Sequence, residues 1–148
     1  MENIWVIAAD SVHARLFRAE HITGPLHEVR DMVNPESRMD ERELLTDAPG
    51  RTTSGGNGNG PEHRYTYDQR SEKQHQADRF AGEVMDEIEK LRTTGELERL
   101  HIIAAPEFLG RLREHYSPPL KKCVAEEVTN NATLRRPDEI RELLPYRM

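Results

Sequence analysis

A chain of 148 residues has room for one compact domain and excludes two full cores, so residues 1–148 are read as a single domain. Hydrophobic residues make up 35%, charged residues 32%, and the formal charge is -6, which gives a solvated acidic surface and argues against a general polyanion binder, though not against a local basic site. The lone Cys123 excludes internal disulfides and cysteine-based zinc clusters and suits a buried structural thiol. The longest apolar run is too short for a signal peptide or a membrane span, so a cytoplasmic protein with no membrane contact is expected.

In chain order, Ile4-Trp5-Val6-Ile7-Ala8-Ala9 is continuously apolar and reads as a central strand buried on both faces. Asp10 and Ser11 suit a turn, Ala14-Arg15-Leu16-Phe17-Arg18-Ala19 forms a second strand, and Gly24-Pro25 turns the chain into a third from Leu26 to Val33. Three strands joined by short turns make an antiparallel meander. Residues 34–70 then lose their periodicity, apart from a short helical turn around Glu41 to Leu45. Within them Ser54-Gly55-Gly56-Asn57-Gly58-Asn59-Gly60-Pro61 has almost nothing that can pack, so a long mobile loop after the third strand is expected.

The strongest helix follows. Ala77, Phe80, Ala81, Val84, Met85, Ile88 and Leu91 recur at three and four residues and form one apolar stripe, and Ser71 with Gln74 supplies a capping-box start. Thr93, Thr94 and Gly95 end it, and Leu100 to Ala105 reads as a buried strand rich in β-branched residues. A helix between two strands is a crossover, which sets the later strand parallel to a neighbour. Pro106 opens a short helix with Phe108, Leu109 and Leu112, Pro118 and Pro119 break the chain, and a last strand runs from Val124 to Val128. A C-terminal helix starts at Pro137, with Asp138 and Glu139 placed well for its dipole. The expected fold is α/β with a single mixed five-stranded sheet.

Several segments carry a family resemblance. Trp5 to Asp10 with Ala14 to Phe17, Asp47-Ala48-Pro49-Gly50-Arg51, His75 with Asp78-Arg79-Phe80-Ala81, and Ala104-Ala105-Pro106-Glu107-Phe108-Leu109-Gly110 resemble the bacterial host attachment proteins over nearly the whole chain. The ending, Val128 to Asn131 and Pro137 to Ile140, is similar too. That family is in turn similar to the middle domain of archaeal and eukaryotic class I peptide-chain release factors, which implies a ribonuclease H-like sheet. In those factors a GGQ loop precedes a long helix with a basic Arg-Phe turn. Gly55-Gly56-Asn57 and Arg79-Phe80-Ala81 take the comparable places here, with Asn57 one methylene shorter than the glutamine that places water at the peptidyl-tRNA ester.

The resemblance implies action on or near the ribosome or RNA, with Gly55, Gly56, Asn57, Arg51, Arg64, His75 and Arg79 as contact residues and, were there catalysis, a peptidyl-tRNA ester hydrolase-like chemistry at Asn57. The same glycines and asparagines also fit a plain flexible spacer. Phosphate contacts dominate RNA affinity, yet Arg38, Arg42, Arg51, Arg64 and Arg70 are outnumbered by Glu36, Asp40, Glu41, Glu43, Asp47, Glu62 and Asp68, which speaks against catalytic release. A host-attachment-related interaction protein without enzymatic activity is the alternative. A third reading is a metal-dependent nuclease in which Asp10 and Glu107 meet at the ends of adjacent strands, although each also suits a turn or a helix start. The seven histidines form no metal motif, no phosphate loop or dinucleotide fingerprint is present, and no cofactor is expected. An exposed edge strand leaves a homo-oligomer open.

Overall fold

The computed structural model describes residues 3–36 and 60–148, with the backbone alone for residues 60–70. One mixed sheet has the order β3-β2-β1-β4-β5, where β1 is Ile4–Ala9, β2 His13–Ala19, β3 Leu26–Val33, β4 Arg99–Ala104 and β5 Val124–Thr129. β1 pairs antiparallel with β2 and parallel with β4, β2 pairs antiparallel with β3, and β4 pairs parallel with β5. The expected meander and crossover are therefore both present.

The apolar run of β1 is buried throughout because both sheet faces are covered. Trp5, Ile7 and Ala9 point to one face, with Leu16, Leu100 and Ile102 beside them. Over them lies helix α1, Gly60–Thr93, through Phe80, Ala81, Val84, Met85 and Ile88, together with α2, Pro106–Glu114, through Phe108, Leu109 and Leu112. Ile4, Val6 and Ala8 point the other way, with Phe17, Ala19 and Ile103, and are covered by Ile140 of α4, Pro137–Glu142, and by Leu144. Each fully buried Ile, Leu or Phe side chain contributes about 1.5–3 kcal/mol by leaving water.

Three expectations are corrected. α1 begins at Gly60, so residues 60–70, read as loop, are helical, and Ser71 lies inside the helix instead of capping it. The first turns are polar in sequence and show no stripe, but no proline or glycine interrupts the chain between Pro61 and Phe80, so no helix breaker separates them from the packed turns that follow. Pro118 and Pro119 start a helix instead of only breaking the chain. They occupy the first turn of α3, Pro118–Cys123, where no N–H is needed, and Ser117 Oγ accepts from Leu120 N at 3.1 Å as the cap. Cys123 is half-buried, its thiol set against Pro119 O at 3.6 Å.

α1 ends as Thr93-Thr94-Gly95 predicts. Gly95 sits at φ +80, and Glu96 N returns to Leu91 O at 2.9 Å, a left-handed stop that a Cβ would strain. Trp5 Nε1 donates to Glu96 O at 2.8 Å and fastens this end to β1. Among the described residues no helix is long and apolar enough to cross a membrane.

Candidate functional site

Parallel strands β1 and β4 end on the same edge of the sheet, and such carboxyl edges are where open α/β sheets take ligands. A cleft of about 490 Å³ lies there. Its walls are the turn after β1 (Asp10, Ser11, Val12), the opening of α2 (Ala105, Glu107, Phe108, Arg111) and one side of α1 (Lys73, Gln74, Gln76, Ala77), with Asn34 and Asn131 between them.

Asp10 forms the floor. Its Oδ1 accepts from Val12 N at 2.8 Å and His13 N at 2.7 Å, and its Oδ2 accepts from Thr133 Oγ1 at 2.8 Å. The first two bonds shape the β1–β2 turn, as an Asp after a strand is suited to do. The third brings residues 130–136 back across the sheet from the end of β5. Arg15 of β2 reinforces that return, donating through Nη1 to Thr133 O at 3.0 Å and Arg135 O while its other nitrogens grip Glu28. Asn34 is buried and closes the β3 side, with Nδ2 donating to Ser11 O at 3.1 Å and Oδ1 accepting from Glu36 N at 3.2 Å.

The two helical walls hold donors in excess. Lys73 pairs with no carboxylate among the described residues, and Arg111 reaches Glu107 only at 4.0 Å. Gln76 is 9% exposed, yet its amide has no hydrogen-bond partner among the described residues.

A family model matches residues 5–144, from Trp5 in β1 to Leu144 just past α4, and is described as protein required for attachment to host cells. The chain belongs to this host attachment family. No curated protein matches it. The resemblance to host attachment proteins seen in the sequence is thereby shown.

In this host attachment domain, Asp10 and Glu107 do share one cleft, as their place after adjacent strands predicts. The two carboxylates differ in state. Asp10 is taken up by three donors, whereas Glu107 is 84% exposed at its side chain. No group of three or more His, Cys, Asp or Glu side chains that could hold a metal ion exists among the described residues. Gly55, Gly56, Asn57 and Arg51 lie outside the described residues, and Arg64 is placed by its backbone alone, in the first turns of α1. His75 is exposed on α1 and lines no part of the cleft. Arg79 is committed elsewhere, to Glu36 at 2.6 Å and Glu72 at 3.7 Å, and the Glu36 hydrogen bond raises its pKa further above the ordinary arginine value.

Sequence reading missed Asn34, Lys73, Gln76, Arg111 and Asn131. Gln76 left a faint signal, a polar residue next to Ala77 at the start of the apolar stripe. Other polar clusters among the described residues bind elements together away from the cleft. Arg113 and Tyr116 Oη both donate to Glu127, chiefly Arg113 holding that carboxyl below its usual range, and so join the α2 region to β5. His115 Nε2 lies 3.2 Å from Asp78 Oδ1 over Gly82, where an added Cβ would come within 3.3 Å of the imidazole.

Proposed function

We propose that this chain supports attachment to host cells by binding a ligand in the carboxyl-edge cleft and not by cutting a bond there. The observation that carries this reading is the state of Asp10. Both oxygens of Asp10 already accept hydrogen bonds, from Val12 and His13 on one and from Thr133 on the other, which fixes the carboxylate in place as a clasp for the cleft. Facing it are Lys73, Gln76 and Arg111, with donors to spare for a bound molecule. Membership of the host attachment family supports the cellular setting.

The test is complementation. Cells lacking the gene should attach poorly to host cells and regain attachment with the wild-type chain, but not with Ala77→Trp, which fills the cleft from α1. A melting curve for the variant checks that it folds, and Lys73→Glu, an exposed change, serves as a second variant. Normal attachment without the gene, or full rescue by both variants, would discard the proposal.

A release-factor-like role at the ribosome or RNA, on a ribonuclease H-like sheet, is the second reading. The observation favouring it is the strand order, with three antiparallel strands followed by two parallel additions. Salt-sensitive co-sedimentation with ribosomes, lost on deleting residues 54–60, is its expected signature. Free sedimentation at low salt would end it.

A further inference from the structure

The cleft presents more unsatisfied donors than acceptors, and this imbalance names a ligand class for the binding reading above, on which the inference rests. α2 opens after Ala105, whose side chain caps nothing, and Pro106 brings no N–H. The N–H groups of Glu107 and Phe108 are therefore without helical partners at the mouth of the cleft that these residues line, and the helix dipole adds partial positive charge there. Gln76 is an independent second sign. The residue is nine-tenths buried, lines the cleft and has no hydrogen-bond partner among the described residues, so its amide N–H groups are open to whatever enters there.

Lys73 stands one helical turn before Gln76 on the same side of α1, and Arg111 one turn into α2, so two cations flank these donors from opposite walls. The two carboxylates of the cleft are engaged by donors or open to water. Asp10 already accepts three hydrogen bonds, and the Glu107 side chain is 84% exposed. Donors arriving from two walls suit a tetrahedral oxyanion, whose oxygens point several ways, better than a flat carboxylate, which lines up with one fork.

We propose that the phosphate group of a small phosphoester seats between the N-terminus of α2, Lys73, Gln76 and Arg111. The cleft has volume beyond that of the phosphate, so the remainder of the ligand extends along Ser11, Asn34 and Asn131.

The test uses the full chain, labelled with nitrogen-15 and titrated with inorganic phosphate at constant ionic strength, with chloride and acetate as parallel arms. Phosphate should produce saturable shifts at the Glu107 and Phe108 backbone amides and at the Gln76 side-chain amide. The double variant Lys73→Gln with Arg111→Gln should weaken them by about tenfold or more, since each charge-assisted contact is worth roughly a factor of ten. Absence of shifts at Glu107 and Phe108, shifts equal with acetate, or affinity unchanged in the double variant would each overturn the proposal. Its fate separates from that of the binding reading. No phosphate site combined with attachment still lost in Ala77→Trp removes only the ligand class, whereas a phosphate site combined with normal attachment in both cleft variants removes only the attachment role.

Discussion

Val6 and Glu126 flank His101 in the sheet, and neither ring nitrogen of that histidine has a hydrogen-bond partner. Burial, then the positive charges of Arg99 and Arg141, lower its pKa below the ordinary 6.5, and the Glu126 carboxylate at 3.9 Å is too solvated to reverse this. A ring harder to protonate when folded binds its proton more readily in the unfolded chain, so acid favours unfolding. The stability is fully present above the unfolded value and falls as pH drops from there toward the folded one. His101→Leu should therefore melt at least as high as wild type at neutral pH and lose less on going to about pH 5.5, read by thermal melts across that range. An equal loss in both proteins would place the acid sensitivity elsewhere. Asp10 invites a second test. Asp10→Ala strands two backbone N–H groups and a hydroxyl, and should cost about 2–3 kcal/mol in urea unfolding; a cost within about 0.5 kcal/mol would mean that the clasp is ornamental. The turn role of Asp10 was legible from its place after a strand. Its bond to Thr133 was not, because no local pattern links a carboxylate to a hydroxyl so far along the chain.

At the scale of elements, legibility follows packing. The stripe from Ala77 to Leu91 is visible because it lies on Trp5, Ile7 and Leu100, while residues 60–70 show no stripe and were read as loop. The start of α1 is directly testable. Gln69→Pro should remove helical ellipticity at 222 nm, since proline in a helix interior costs about 3 kcal/mol and severs the turns before it. Unchanged ellipticity would return the helix start to Ser71. The short α3 was hidden for the opposite reason. A proline pair usually signals interruption, and only the Ser117 cap turns it into a beginning.

For the whole molecule, the side-by-side placing of the segments at Ile4 and Leu100 was readable from two apolar runs separated by one long helix, and the pairing of Ile7 with Ile102 realises it. Ile102→Ala, at a fully buried site, should cost about 2–5 kcal/mol. Val29→Ala, on edge strand β3 and 56% exposed, should stay within about 0.5 kcal/mol. Similar losses at both positions, measured by urea unfolding, would contradict the layered core. The cleft was only half legible. Strand ends place Asp10 and Glu107, but the donors come from α1 and from the irregular return after β5, which only tertiary folding brings near.

The parallel pairing of β1 with β4 also sets a timetable. As the polypeptide is synthesised, β1 can zip onto β2 at once, but its other flank stays bare until Arg99 to Ala104 have emerged, and the clasp at Asp10 waits longer still for Thr133. Non-local pairing of this kind is slow. The newborn hairpin carries an open row of backbone amides beside Ile4, Trp5 and Ile7, so it is during biogenesis, more than after it, that this chain is vulnerable to self-association and has most to gain from a chaperone.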